Sequence, residues 1–231
     1  MYLFERNPTT TVWEQTDKLT ASDGVAGDGF GVTVALDGDT LLVGQIGPAR
    51  PGAVYVFDRN PITGVWSETD KLTASDGAPG MAFGEHIGLS GDLAVISMRD
   101  DDFGTDAGAV YVFRREFGVG WIQADKLHPT DAHANHGFGV AVAIDGTRIV
   151  VGAANDTDCG MYCGALYVFE RRGGPWEWVQ TQKIRGLDIV EGSAFGRAIG
   201  LAGDVIVTGA TGISIGTNPS AGAGYVFELV P

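Results

Sequence analysis

Basic residues are scarce in this chain: 15 Lys and Arg stand against 29 Asp and Glu in 231 residues, a formal net charge of −14. That balance argues against nucleic acid, whose phosphates demand clustered cations, and against an anionic membrane surface for the same reason. No apolar run approaches the length of about 20 residues that a bilayer-spanning helix needs. Sustained 3.6-residue apolar periodicity is missing, so helices are not expected. Also absent are a Gly-x-Ser-x-Gly elbow, a phosphate-binding glycine loop and a metalloprotease helix, so the chain does not read as an enzyme.

What is plentiful is glycine, 36 residues, alongside 44% hydrophobic residues, enough for a core. The glycines sit at fixed offsets in a repeat, which separates the chain from disordered and collagen-like sequences. Phe30-Gly31, Phe83-Gly84, Phe138-Gly139 and Phe195-Gly196 open four units spaced 53, 55 and 57 residues apart. Tyr55-Val56-Phe57, Tyr111-Val112-Phe113, Tyr167-Val168-Phe169 and Tyr225-Val226-Phe227 close them.

Each unit reads as four strands. The first follows Phe-Gly (31–36 in the first unit) and keeps a column of small residues suited to close approach between sheets. A two-residue turn, with Gly second, then leads to a short apolar strand: Asp37-Gly38, Ser90-Gly91, Asp145-Gly146 and Ala202-Gly203. Such turns match strand twist and predict a hairpin in every copy. The Tyr-Val-Phe strand is third, entered through Gly52, Gly108, Gly164 or Gly222. The fourth starts at Trp13, Trp66, Trp121 or Trp178 and runs to Lys18-Leu19, Lys71-Leu72, Lys126-Leu127 or Lys183-Ile184, where the lysine is expected to discourage edge pairing. From Trp to the next Phe-Gly is always 17 residues, whereas the loop between the second and third strands runs 7, 10, 11 and 12 residues (45–51, 98–107, 153–163 and 210–221). Loops that vary on a fixed frame are where such folds carry function.

Phe-Gly, then Asp37-Gly38-Asp39-Thr40-Leu41-Leu42-Val43-Gly44, then Gly52-Ala53-Val54-Tyr55-Val56-Phe57 resembles the FG-GAP repeat, and Lys-Leu-Thr-Ala-Ser-Asp-Gly at 18–24 and 71–77 resembles its bacterial version. The resemblance covers essentially the whole chain. It implies an all-β fold, a β-propeller of four-stranded antiparallel blades, with one repeat domain over 1–231: half a blade at 1–29 and about four blades from Phe30, Phe83, Phe138 and Phe195. An open arc is favoured over a closed ring, and the start at Met1-Tyr2-Leu3-Phe4, inside a repeat, reads as a piece of a longer chain. The resemblance also implies an extracellular or cell-surface protein and a non-catalytic binding or adhesion module. A structural spacer or surface-layer element, or a carbohydrate-binding propeller, are the alternatives. Bare apolar faces at the ends of an arc are expected to self-associate.

The family's usual calcium loop lies between the first two strands; here a two-residue turn leaves no room for a cage of six or more oxygens. No cofactor is therefore required, but Asp100, Asp102 and Asp106 around Gly104 offer oxygens for Ca²⁺, against the plainer reading of a solvated acidic loop. His133 and His136 form the only histidine cluster, with zinc as a weaker reading than local loop variation. Asp23, Asp76, Asp131 and Asp188, each seven residues before a Phe, read as structural, through Asx-type bonds to nearby backbone. Cys159 and Cys163 are expected to pair, because the family resemblance implies an oxidising compartment. The expected ligand face carries Asp100, Asp101, Asp102, Asp106, Asn155, Asp156, Asp158, His133 and His136, and its partner is a protein or a glycan. The opposite face would be basic through Arg6, Arg59, Arg114, Arg115, Arg171 and Arg172.

Overall fold

The computed structural model of the chain describes residues 1–100, 102–172, 174 and 176–229. These form five antiparallel sheets in chain order and no helix. The first is a two-stranded half-sheet, β1 (Tyr2–Arg6) and β2 (Trp13–Lys18). Three four-stranded meanders follow: β3 (Val34–Asp37), β4 (Thr40–Gln45), β5 (Ala53–Arg59) and β6 (Trp66–Leu72); β7 (Ile87–Ser90), β8 (Leu93–Met98), β9 (Ala109–Glu116) and β10 (Gly120–Leu127); β11 (Phe138–Asp145), β12 (Arg148–Ala153), β13 (Ala165–Arg171) and β14 (Trp178–Ile184). The last has three strands, β15 (Phe195–Ala202), β16 (Val205–Ala210) and β17 (Ala223–Glu228). The first strands β3, β7, β11 and β15 touch in succession, so the sheets stack radially as propeller blades. The stack is not closed: β2 pairs with β1, and β17 pairs only with β16 among the described residues.

Two details of the sequence reading change. In the first two blades the inner strand starts three residues later than its apolar alternation suggests, at Val34 and Ile87, because the Phe-Gly segment is a turn there. The hairpin register also moves by one. Asp37 pairs with Thr40, Ser90 with Leu93, Asp145 with Arg148 and Ala202 with Val205, so each turn is Gly-x and glycine comes first. Gly38, Gly91, Gly146 and Gly203 all have φ near +56°, and the residue after each does not (57°, 55°, 57° and 56°). That is the type II′ pattern, which demands glycine at the first central position.

The Phe-Gly phenylalanine locks each blade from within. Its ring stands edge-on to the tyrosine of its own Tyr-Val-Phe strand, at 5.5 Å for Phe30–Tyr55, 5.6 Å for Phe83–Tyr111, 5.7 Å for Phe138–Tyr167 and 5.3 Å for Phe195–Tyr225. The edge-to-face arrangement sets the positive ring edge against the negative face and adds to burial. Between blades, the loop before each Tyr-Val-Phe strand reaches the next phenylalanine: Phe83, Phe138 and Phe195 donate their N–H to Pro51, Ala107 and Cys163. A Cβ on Gly108 or Gly164 would overlap the carbonyl oxygen of Phe138 or Phe195. Glycine is required there by close approach as well as by φ values of +87° and +82°.

Candidate functional site

Each complete blade builds one polar cluster at the variable-loop end, and it starts from a cross-strand pair. Tyr55 lies opposite Lys71, Tyr111 opposite Lys126 and Tyr167 opposite Lys183, with the ammonium 4.9 Å, 5.4 Å and 5.2 Å from the ring centre. Tyr2 and Lys18 repeat the pair in the half-sheet. A bulge recurs two residues before each lysine, at Thr16, Thr69, Ala124 and Thr181, where the outer strand carries one unpaired residue. The extra residue resets the strand's alternation and aims the lysine inward over the ring.

The tyrosine hydroxyl then donates to the aspartate seven before Phe-Gly: Tyr55 to Asp23, Tyr111 to Asp76, Tyr167 to Asp131 and Tyr225 to Asp188. The four aspartates therefore make a contact the sequence reading did not foresee, capping a phenol that is buried in the three full blades and half-buried at Tyr225, while Asp76 and Asp131 also accept a backbone N–H. Lysine completes the triad in the three full blades, Lys71 to Asp23 and Lys126 to Asp76 at 2.7 Å, and Lys183 to Asp131. These bonds hold carboxylates down: hydrogen bonds from Lys71 and Tyr55 lower Asp23 to about 2. In the other direction, burial and the Asp188 bond push Tyr225 up to about 12.

Two blades add a second layer. Loops 98–107 and 153–163 share the frame Asp-x-Asp-x-Gly-x-x-x-Gly, at 100–108 and 156–164. Gly108 and Gly164 donate to the carbonyls of Asp100 and Asp156, and the Asp102 and Asp158 N–H groups bond the Asp100 and Asp156 carboxylates at 2.8 Å and 3.2 Å. Lys126 thereby sits among three carboxylates, Asp76 at 2.7 Å and Asp100 and Asp102 at 2.6 Å. Lys183 repeats this with Asp131, with Asp156 at 2.6 Å and Asp158 at 2.7 Å. An ammonium has three N–H donors, and each is matched. Burial would raise Asp156, but hydrogen bonds from His136 and Lys183 outweigh it and hold the acid well below the usual carboxylate range. Loop 45–51 of the first blade is too short for this frame, and there Arg50 approaches Asp28 at 3.5 Å and Asp23 at 3.8 Å.

The expected ligand residues thus part company. Asp100, Asp156 and His136 are 2%, 1% and 0% exposed, walled in beneath the loops. His136 Nε2 lies 3.1 Å from Asp156 and 3.0 Å from the Tyr167 hydroxyl, and His133 stacks on it at 4.2 Å. Asp102 and Asp158 spend their charge on the cages, and Asp101 lies outside the described residues. The expected Asp100–Asp102–Asp106 cation set is not assembled. His128, and not Asp106, joins Asp100 and Asp102 in one group, as Asp131 joins Asp156 and Asp158. Both trios have the spacing of a cation site, but a lysine Nζ sits among the same oxygens, and a calcium ion needing six or more oxygens must expel it. Cys159 and Cys163 form a disulfide with Cα atoms 5.9 Å apart, closing a loop so short that its chain-entropy contribution is at most about 2 kcal/mol.

The opposite face is not a free basic surface either. Arg59 pairs with Glu5, Arg114 with Glu116, Arg115 with Asp58 and Arg172 with Glu170. Four of the six expected arginines are thus neutralised locally, Arg59 and Arg115 by an acid of another sheet, Arg114 and Arg172 by one two residues away in the chain.

A cleft of about 240 Å³ opens at the variable-loop end between the second and third blades. Glu85, His86, Met98, Arg99 and Asp106 of the second blade line it together with Asn135, Phe138 and Asn155 of the third. Its walls are stitched by main-chain bonds: Asn135, Gly137 and Phe138 donate to the carbonyls of Thr105, Asp106 and Ala107. Arg99 turns both guanidinium arms onto Glu85 at 3.2 Å. Burial keeps His86 below its ordinary range, with Glu85 opposing it. Asp106 and Asn155 are the two expected ligand residues that reach this cleft. Glu85, His86, Arg99 and Asn135 were not legible, since their positions differ from copy to copy and only the packing of adjacent blades brings them together. The lysines were read only as edge-strand charges at a constant distance from Trp; that each turns inward over a tyrosine and its acids is set by the cross-strand pairing and the bulge before it.

Comparison with known proteins agrees with the repeat. A family model described as FG-GAP repeat matches residues 13–57, 66–113, 121–169 and 178–227. No curated protein sequence matches the chain. Among solved structures, a protein from Lactobacillus plantarum superposes with a TM-score of 0.58 at 19% identity, over 90% of this chain and 56% of that one. That likeness concerns the fold alone, and this chain spans little more than half the length of that protein.

Proposed function

This chain belongs to the FG-GAP repeat family, and from that premise we propose that it is a non-catalytic binding module whose ligand face is the variable-loop end of the blades. The observation that carries this reading is the contrast within loops 98–107 and 153–163. Their frames are the same, pinned by a lysine cage below and stitched to the next blade, yet their outward side chains differ. Phe103 projects from one, Met161 and Tyr162 from the other, each about half exposed. A rigid frame presenting variable side chains loses little entropy on binding, which suits recognition. The only hydroxyl–imidazole pair among the described side chains, Tyr167–His136, is buried under the loops, which supports a non-catalytic role. The disulfide suits an extracellular or cell-surface setting, as is usual for the family. Ligand binding is calcium-independent in this reading, because Lys126 and Lys183 supply the positive charge.

The test is a surface-plasmon-resonance screen against purified surface proteins and a glycan panel, with and without calcium. It compares the native chain with one whose loops 98–107 and 153–163 are replaced by the seven residues 45–51. A ligand bound by the native chain and lost with the loops supports the module. A ligand that ignores the exchange, or none in the whole panel, favours a structural spacer.

A further inference from the structure

We infer that the cleft between the second and third blades is a subsite for one uncharged sugar ring, the terminal residue of a glycan; this rests on the variable-loop end being the ligand face. The first argument is the state of its polar groups. The Asn135 and Asn155 side chains line the cleft and make no hydrogen bond to another described residue, so each offers a free amide donor and a free acceptor. The Ser97 hydroxyl accepts from the His86 N–H at 3.0 Å and keeps its own proton to donate. The His86 ring makes no hydrogen bond among the described residues, and burial lowers its pKa and favours the neutral ring, so it too offers one donor and one acceptor. Paired donors and acceptors are what vicinal hydroxyls match, since each hydroxyl both gives and receives.

The second argument is charge. The charged groups lining the cleft are Arg99, Glu85 and Asp106; Arg99 and Glu85 are closed on each other through two hydrogen bonds, and Asp106 adds a second carboxylate that acts on Arg99 and disfavours an anion. A carboxylate or phosphate ligand would have to break that pair, whereas a neutral one leaves it intact. The third is size and floor. At about 240 Å³ the cleft is smaller than the roughly 300–1,000 Å³ typical of drug-sized ligands, which suits one ring and not an oligomer. Val140, half-buried, offers apolar surface for the C–H face of a pyranose, while Met98 and Phe138 line the cleft with only 2% and 3% of their surface exposed. Finally, the site is preformed. Asn135 is held at φ +59° by its N–H bond to the Thr105 carbonyl, and three consecutive main-chain bonds tie the two blades across the cleft.

The test is saturation-transfer NMR and calorimetric titration of the whole chain with methyl glycosides of glucose, galactose, mannose, N-acetylglucosamine and N-acetylgalactosamine. A sialic acid and a short extended peptide serve as charged and peptidic comparators. The variants are Asn155→Ala and Asn135→Gly, the latter because glycine keeps the positive φ while removing the amide. The expected result is binding of at least one neutral glycoside, weakened tenfold or more by the double variant, with unchanged thermal unfolding. No neutral glycoside binding, or binding indifferent to both substitutions, overturns the assignment. So does a peptide or sialic acid that binds through Asn135 and Asn155 in place of the neutral sugars. The two readings fail separately. A loop-dependent protein ligand without sugar binding sinks the subsite and leaves the ligand face standing. Sugar binding in the cleft upholds both, and the absence of both a bound sugar and a loop-dependent macromolecule sinks both.

Discussion

Lys126 is the residue on which the second blade's loop depends. Its side chain is 18% exposed, and it faces an Asp100 carboxylate that is 3% exposed. Removing the ammonium leaves three carboxylates without a cation, and breaking a buried pair from one side is far costlier than its net contribution suggests. Lys126→Met is expected to lose about 2–4 kcal/mol in urea unfolding, and adding Asp100→Asn should recover part of that loss; a double variant no better than the single one would show that repulsion is not the cause. The same groups set the pH profile. Asp23 falls from 3.8 to about 2 on folding through its bonds to Lys71 and Tyr55, and Asp76, Asp100 and Asp131 also lie below their ordinary value, lysine bonds outweighing burial in each. A depressed acid adds stability above its unfolded pKa and loses it as pH falls through the folded one, so melting temperature should hold down to about pH 4 and drop toward pH 2. On the alkaline side, burial and the Asp76 bond raise Tyr111. Lys126 is raised by its three aspartates against the effect of burial. Raised groups keep their contribution below their ordinary values of 10.0 and 10.5 and lose it above them, so the second decline should begin near pH 10. Thermal scans from pH 2 to 11 check both limbs.

At the scale of the element, blade stacking depends on where a loop meets the next Phe-Gly turn. Gly108 combines φ +87° with a backbone so close that a Cβ would strike the Phe138 carbonyl, whereas Gly118 has φ +76° and open space around it. Both substitutions to alanine incur the left-handed penalty of about 1–2 kcal/mol. Only Gly108→Ala must also push two blades apart, so it is expected to cost about 2–4 kcal/mol in urea unfolding and to perturb the cleft that the Ala107–Phe138 bond closes. Equal losses at the two glycines would show that the close approach carries no energy. The hairpins at the other end are tied likewise. Asp37 accepts from the Gly91 N–H and Asp145 from the Gly203 N–H, both at 2.7 Å, while the Ser90 hydroxyl accepts from Gly146 at 3.1 Å. Successive blades are therefore stapled at both ends, with the apolar faces between.

For the whole molecule, the open arc leaves different residues bare at its two ends. Val56, Val112 and Val168 are buried between blades, yet their counterpart Val226 is 68% exposed; Leu42 is fully buried while its counterpart Val207 is 44% exposed. At the other end, Val34 and Leu36 are exposed because the half-sheet of β1 and β2 has no inner strand to cover them, whereas Ile144, in the position of Leu36, is buried. Such paired apolar stripes on an acidic protein favour contact between copies. Sedimentation velocity is expected to show concentration-dependent association at neutral pH, reduced by Val207→Lys with Val226→Lys; a monomer at every concentration would show that the ends do not attract.

The sequence by itself determined the blade. Four copies of Phe-Gly, Gly-x turn, Tyr-Val-Phe and Trp-to-Lys at constant spacing specify strand order, hairpins and repeat, because each is a local demand on φ, twist or alternation. Glycine's place within the turn was misread by one residue, since Asp-Gly and Gly-Asp both suit primed turns and only the pairing of Asp37 with Thr40 separates them. The loop chemistry was legible only as composition. Whether Asp100 and Asp156 face solvent or a buried lysine depends on a bulge at Ala124 or Thr181 and on a tyrosine some ten residues away in the chain. The cleft was not legible at all. Asn135 and Asn155 belong to one blade and Glu85, His86 and Arg99 to the blade before it, and what joins them is the packing distance between two sheets, which no local pattern encodes.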